Sequence, residues 1–118
     1  MKKILVFLFI ISTISSCSKS DVDPILSISN TITTNGLNFT PSVLNCSVGD
    51  TIFFELGSSH NAIEVSEADY IANSPIPLEN GFQFGFGASS FLIVDEAKTF
   101  YYVCAPHLPQ MKARIIAE

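Results

Sequence analysis

The sequence is poor in histidine, in basic side chains and in tryptophan. Its 118 residues include two histidines, six lysines and arginines and no tryptophan. Two histidines are too few for an enzyme with several metal centres or a histidine-rich second site. Nucleic acid is excluded as a partner because phosphate binding needs clustered basic side chains. The sequence therefore predicts a single domain that is not an enzyme and that binds no nucleic acid.

The chain also lacks an apolar run long enough to be a permanent membrane span. The run over residues 4–14 follows two lysines and is typical of an export signal. It ends in Ile14-Ser15-Ser16-Cys17, which resembles the lipobox of bacterial lipoproteins. We expect a signal peptide over residues 1–16, acylation of Cys17 and a polar tether over residues 17–24. The alternative is an ordinary secretory signal in which Cys17 happens to lie near the cleavage site. Both interpretations predict export, and we expect a lipoprotein at a periplasm-facing membrane or the cell surface.

Basic side chains become scarcer still once residues 1–16 are removed. Four basic and eleven acidic side chains then remain, a net charge near 4 − 11 = −7. An acidic surface favours encounter with a basic partner and makes that encounter sensitive to salt. Because the charges are spread along the chain, a merely solvated acidic surface remains the alternative.

Only two cysteines remain besides Cys17. Cys46 and Cys104 could form a disulfide in an oxidising envelope. However, Cys46 alternates with Leu44 and Val48 as in a half-buried strand, where a free cysteine acts as a small hydrophobe. We therefore favour a structural Cys46 and keep the disulfide as the alternative.

Short runs with strand-like alternation fill the rest of the chain. Gly49-Asp50 predicts a hairpin between two of them, and Ser66 to Asn73 predicts one short helical turn with Ser66 as its N-cap. The pattern favours an all-β sandwich or barrel over residues 25–118, with at most one short helix. The predicted strands are Ile25–Thr33, Phe39–Ser42, Leu44–Val48, Thr51–Leu56, Asn61–Val65, Phe82–Gly87, Ser89–Val94, Thr99–Val103 and Lys112–Ala117.

One loop near the C-terminus brings together side chains that suit a metal. Cys104-x2-His107-x3-Met111 offers a thiol, an imidazole and a thioether between two predicted strands. These soft and borderline donors suit copper, whose blue electron-transfer sites use one thiolate, two imidazoles and a weak axial thioether. The missing imidazole has to come from His60, the other histidine of the chain.

Together with these donors, several short motifs carry a family resemblance. They are Phe39-x-Pro41, Val48-Gly49-Asp50-Thr51-Ile52, His60-Asn61 and Tyr102-x-Cys104-x-Pro106-His107 with Met111. Over residues 25–118 the chain resembles the cupredoxins of the plastocyanin, pseudoazurin and amicyanin group. The resemblance implies a Greek-key β-sandwich that holds one type 1 copper ion.

The resemblance also implies roles for individual residues. The equatorial ligands would be His60, Cys104 and His107, and the axial ligand would be Met111. Relatives carry single electrons between larger redox proteins, and the electron passes through the exposed edge of the imidazole in the ligand loop, here His107. By the same resemblance, Asn61 would tie the two ligand loops together by hydrogen bonds.

A small apolar patch around that imidazole would dock the redox partners, and its residues would be Pro106, Leu108 and Pro109. The chain departs from the family pattern at Ala105, where relatives often carry Ser or Thr that would bond Asn61.

We therefore expect a monomeric electron carrier, tethered to a membrane by lipid, that serves redox proteins with a basic docking surface. Two other functions use the same residues differently. A copper chaperone or scavenger would bind the ion without redox turnover, and a metal-free interaction module would not need His60 at all.

Overall fold

The computed structural model describes residues 30–118. The signal peptide, Cys17 and the tether lie outside the described residues, so their assignments stay predictions. Within the described part no helix has the length and apolar character needed to cross a membrane. The elements are β1 Thr31–Asn35, β2 Asn38–Thr40, β3 Val43–Cys46, β4 Thr51–Glu55, β5 Ala62–Val65, α1 Glu67–Ile71, β6 Gln83–Phe84, β7 Ser89–Ile93, β8 Thr99–Val103 and β9 Lys112–Ala117, with a 3₁₀ turn at Ala105–His107.

The strands form two sheets that face each other across the core. The first sheet has the order β2-β1-β4-β7 and the second has the order β3-β9-β8-β5-β6. Each sheet contains one parallel pair, β1 with β4 and β3 with β9, and its other pairs are antiparallel. This arrangement confirms the predicted all-β sandwich with one short α-helix.

The hairpin predicted at Gly49-Asp50 is wrong. The strand before this turn, β3, pairs with β9 in the second sheet, whereas β4 pairs with β1 and β7 in the first. Leu44 of β3 and Ile52 of β4 are both buried, so the turn carries the chain from one wall of the core to the other. Two alternating strands joined by a short turn predict a hairpin only when both have to pack on the same side of the core.

Aromatic rings fill the middle of the core. The fully buried Tyr102 of β8 lies 4.8 Å from Phe39 and 5.6 Å from Phe54, measured between ring centroids. Phe82 and Phe84 close the cluster on one side, each packing against Phe54. The alternation along β8 thus points Phe100, Tyr102 and Cys104 inward, and the last of these reaches the end of the core where the strand stops.

The short helix α1 begins where the sequence predicts it. The Ser66 hydroxyl accepts a hydrogen bond from the Asp69 backbone N–H at 3.1 Å, as an N-cap does. Tyr70 of α1 packs on Tyr101 at 4.9 Å between centroids, so the helix covers part of the outer face of the second sheet.

Candidate metal centre

His60 lies at the end of the loop that follows β4. Its backbone N–H donates to the Gly57 carbonyl at 3.0 Å, and the Gly57 N–H donates to the Thr34 hydroxyl at 2.9 Å. A Cβ on Gly57 would come within 3.0 Å of the Thr34 hydroxyl oxygen and 3.2 Å of the His60 ring, so this loop needs glycine to pack so closely. On the other side, the Gly87 N–H lies 3.1 Å from the Gly57 oxygen and 3.2 Å from that of His60. The position of His60 is thus fixed by two neighbouring segments.

The second loop, Cys104 to Met111, is closed by its own backbone. The Cys104 N–H donates to the Met111 carbonyl at 3.0 Å, and the Met111 N–H donates to the His107 carbonyl at 3.0 Å. A further bond from the His107 N–H to the Cys104 carbonyl, 3.1 Å long, forms the 3₁₀ turn in which Pro106 occupies an early position. The three predicted donors of this loop are therefore held by one short hydrogen-bonded segment.

The two loops bring three donor side chains together. The Nδ1 atoms of His60 and His107 lie 3.2 Å apart, and the Cys104 sulfur lies 3.8 Å from the first and 3.3 Å from the second. Among residues 30–118, these side chains form a group whose donor atoms all lie within 4.8 Å of one another. With both Nδ1 atoms turned inward, the Nε2 edge of each ring is directed away from the group.

These separations fit a single ion. Metal bonds of about 2.0–2.3 Å to nitrogen and sulfur place neighbouring ligand atoms about 3–4 Å apart. The three measured separations fall in that range. One thiol and two imidazoles, together with a thioether, make a donor set that suits copper. The arrangement of His60, Cys104, His107 and Met111 is typical of a type 1 copper site.

The surroundings of Cys104 are dry. The residue is fully buried, and burial raises the pKa of its thiol, against the opposing effect of the backbone N–H groups of Asn61 and His107. A thiol in such surroundings keeps its proton until a cation takes its place. The Asn61 and His107 N–H groups are placed to stabilise the thiolate once the proton has left.

The structure also places the other predicted residues. Met111 is fully buried in the same hydrophobic core as Cys104. Asn61 does link the two loops, because its side-chain oxygen accepts a hydrogen bond from the Ala105 backbone N–H at 3.0 Å. Ala105 lacks the hydroxyl expected from the family pattern, and the donor of the link is therefore its backbone N–H.

The residues predicted for docking lie at the surface. Pro106 and Pro109 are exposed, while Leu108 and His107 are half-buried. Two further apolar side chains at the same end of the sandwich were not predicted: Leu37 is 39% exposed and Phe86 is 60% exposed. The glycines on both sides of Phe86 were the sequence signal for a turn that presents an aromatic ring to solvent.

We call this end of the sandwich the copper end and define it by four loops. They cover residues 36–37, 56–61, 85–88 and 104–111, and none of them contains a charged side chain.

Cys46 lies outside the copper end, and both Cys46 and Cys104 are free thiols. The alternative of a disulfide between them is therefore not what the structure contains.

Comparisons with known proteins agree with the fold and the metal centre described above. A halocyanin of Natronomonas pharaonis is 33% identical over 88 residues, which is 71% of this chain and 50% of the halocyanin. The chain thus spans about half the length of this relative. Among solved structures, a pseudoazurin from a Sinorhizobium species matches with a TM-score of 0.59 at 18% identity, covering 75% of this chain and 72% of the pseudoazurin. An oxidised amicyanin variant matches with a TM-score of 0.59 at 19% identity, covering 80% and 87%.

The structural matches have low sequence identity and establish the fold. The family follows from sequence, because the profile described as "Copper binding proteins, plastocyanin/azurin family" matches residues 26–118. The donor group lies inside that range, and copper is the ion that its chemistry suits. The chain therefore belongs to the plastocyanin/azurin family of copper-binding proteins.

Proposed function

We propose that the protein is an exported, lipid-anchored type 1 copper protein that carries single electrons between redox proteins of the cell envelope. The observation that carries the proposal is the donor group itself, in which one thiol and two imidazoles lie within 4.8 Å of one another. In this proposal His60, Cys104 and His107 are the equatorial ligands and Met111 is the axial ligand. The functional domain is residues 25–118, held at the membrane through Cys17 and the tether 17–24.

Rigidity is what the protein contributes to electron transfer. Copper, when bound, supplies the one-electron couple. The hydrogen bonds that close the loop from Cys104 to Met111 keep its donors in place before the ion arrives. Asn61 holds that loop to the loop of His60 through the Ala105 N–H. Because the ligands are held in place, little atomic movement has to accompany a change in copper charge.

The proposed exit for the electron is the outward edge of the His107 ring. The loops around it contain no charged side chain, so a partner can come close without stripping water from ions. The docking surface in this proposal comprises Pro106, Leu108 and Pro109, extended by Leu37 and Phe86. Apolar patches of this kind suit brief contacts, and the acidic remainder of the domain would attract basic partners over longer distances.

A carrier fits the chain better than an enzyme does. Both histidines of the sequence belong to the donor group, so no imidazole remains for a second copper centre or a hydrolytic site. A chaperone would need a site that exchanges its ion readily. Here Cys104 is fully buried and His60 is only 8% exposed, which favours retention of the ion over exchange.

A visible absorption spectrum of the mature chain, titrated with Cu(II), tests the proposal. We expect an intense blue thiolate-to-copper band that saturates at one copper per chain, disappears with dithionite and returns in air without loss of copper. A colourless protein would contradict the copper site. Copper that leaves on reduction would instead indicate a chaperone or scavenger.

A further inference from the structure

The first sheet carries an apolar patch on its outer face. Phe53 is 47% exposed, Phe91 is 55% exposed and Ile93 is 58% exposed. Phe53 and Phe91 are direct cross-strand neighbours on β4 and β7, with ring centroids 6.4 Å apart. Ile93 lies opposite Thr51, two register pairs further along the same two strands and therefore on the same face. We call these three side chains the sheet patch.

The outer face of the first sheet around Phe53 and Phe91 is almost free of charge, whereas Ile93 borders a charged cavity at the end of the sandwich remote from the copper site. The other outward side chains of this sheet belong to threonine, serine and asparagine, apart from Glu55. Both carboxylate oxygens of Glu55 accept from the Ser89 hydroxyl, at 2.7 and 2.8 Å, at the rim nearest the copper end. Within residues 30–118 no lysine or arginine lies on this face, so it is the weakly charged side of an acidic domain.

The outer face of the second sheet, on the opposite side of the sandwich, is covered in part by α1 and carries charge. Tyr70 of α1 packs over Tyr101, and the Lys112 ammonium lies 4.4 Å from the centre of the Tyr70 ring. The second sheet thus carries a helix and cationic side chains on its outer face, while the sheet patch of the first has neither in the described part of the chain.

The N-terminal segment enters the domain beside the sheet patch. The Asn30 carbonyl accepts a hydrogen bond from the Phe53 N–H at 2.7 Å, and Thr31 is the register partner of Phe53. Because β1 runs parallel to β4, whose C-terminal end leads to His60, the chain enters at the end remote from the copper site. Residues 18–29 are all that separate this point from Cys17. Even fully extended, twelve residues reach only about 40 Å, so an anchor at Cys17 keeps the patch at high local concentration near the bilayer.

We propose that the sheet patch rests on the lipid surface to which the chain is anchored. The inference depends on the anchor at Cys17 that is part of the proposed function. Half-exposed phenylalanine and isoleucine side chains lower their free energy when they leave water for the interface between headgroups and acyl chains. A single weak patch suffices because the anchor supplies the second attachment.

This orientation has a consequence for electron transfer. The copper end lies at the ends of the strands, so a domain lying on the outer face of its first sheet points that end along the membrane. Partners embedded in the same membrane then meet the His107 edge sideways, by diffusion in two dimensions.

A single tryptophan reporter tests the orientation, because the natural chain has no tryptophan. The Phe91→Trp variant, purified with its own anchor, is placed in phosphatidylcholine vesicles with or without a lipid that carries a shallow nitroxide. The matched control is Ile71→Trp, since Ile71 is 69% exposed on α1 at the opposite face. We expect the nitroxide to reduce the emission of Phe91→Trp at least about twofold and that of Ile71→Trp by less than about a tenth.

Each outcome decides the proposal. Adding Phe53→Ser to Phe91→Trp should lower the quenching toward that of the control. Equal quenching at both positions, or none at Phe91→Trp, would overturn the proposal. So would an emission shift of Phe91→Trp that grows with protein concentration without vesicles, because it would assign the patch to a second copy of the chain.

The anchor is tested separately by the mass of the processed N-terminus. If Cys17 carries no acyl group, the anchor of the proposed function is wrong. The same chain with Cys46→Ala is then coupled at Cys17 to a maleimide lipid, and the two reporters still decide whether the sheet patch meets the bilayer.

Discussion

The two ends of the sandwich differ in their charge and in their exposure to water. The copper end has four loops without a charged side chain around a buried thiol. At the far end, which we call the acidic end, Glu64, Glu79, Asp95 and Glu96 surround a cavity of about 470 Å³ together with Lys98. The copper end is neutral and closed, and the acidic end is charged and open to water.

The difference lies in what each end does with a buried ionisable group. At the copper end, Cys104 is surrounded by neutral donors, so an added cation has no fixed charge to compete with. At the acidic end, Glu64 is 3% exposed and its carboxylate lies 3.4 Å from the Lys98 ammonium, a cation that the chain itself supplies. One end thus leaves room for a metal, whereas the other already holds its own counter-charge.

The largest effect should come from removing the thiol at the copper end. Cys104→Ala should abolish the blue band completely, because no other side chain of the group can supply a thiolate. The domain should stay folded, as judged by circular dichroism. The matched control is Cys46→Ala, which removes the other free thiol of the domain and should keep the band at full intensity. A Cys104→Ala variant that stays blue would refute the site.

The next effect concerns the acidic end. Burial raises the pKa of Glu64, whereas Lys98 lowers it. The folded state therefore holds the Glu64 proton to higher pH than the unfolded state, and this group makes stability fall as pH rises through its raised pKa. Lys98→Met should raise that pKa further and lower the free energy of unfolding by about 1–3 kcal/mol at pH 8.

Chemical denaturation at two pH values checks this effect. The loss caused by Lys98→Met should be clearly smaller at pH 5, where Glu64 can take up a proton instead. The control is Glu96→Gln, since the exposed Glu96 lies 4.0 Å from Lys98 and its removal should change little. An equal loss at both pH values would mean that Lys98 acts through packing and not through its charge.

A smaller effect should follow from cutting the link between the ligand loops. Asn61→Ala removes the oxygen that accepts from the Ala105 N–H and should lower the free energy of unfolding by about 1 kcal/mol. Copper should also leave faster when a chelator is added, which the decay of the blue band would record. Asn45→Ala, on the exposed side of β3, is the control. Unchanged copper loss would show that the loops hold together without Asn61.

The smallest effect lies between the two ends and should be a gain. The Tyr102 hydroxyl is buried, and within the described residues it has no hydrogen-bond partner. Tyr102→Phe removes that unsatisfied group and should raise the free energy of unfolding by up to about 1 kcal/mol without changing the absorption spectrum. A loss of stability in thermal or chemical denaturation would mean that the hydroxyl is needed where it is.

The bounds of several strands and the cap of the helix could be predicted from the sequence, because local residue patterns determine them. The strand at Thr99–Val103 and the final strand at Lys112–Ala117 have the predicted bounds, and Ser66 caps the helix as expected. The stretch from Phe82 to Gly87 forms only the two-residue strand β6. Phe82 and Phe84 of this stretch pack in the aromatic cluster of the core, whereas Phe86 is exposed, so the alternation does not form a long strand.

What the sequence could not give are contacts between distant segments. The four site residues were found because their chemistry is rare in this chain. The Thr34 hydroxyl and the Gly87 N–H, which hold the loop of His60, are common groups whose role depends on the packing of separate loops. The same is true of Leu37 and Phe86, which meet the ligand loop's end of the sandwich only in the folded chain.

The backbone of the segment from Cys104 to Met111 bonds chiefly within itself, while His60 depends on Thr34 and Gly87 elsewhere. The segment from Cys104 to Met111 can therefore be exchanged as a unit, whereas the loop of His60 is held by contacts with the rest of the domain. Exchanging the three residues between His107 and Met111 for a longer or shorter insert leaves the anchorage of His60 untouched. Such loop exchanges would vary the midpoint potential of the bound copper through one segment alone, while the rest of the domain stays constant.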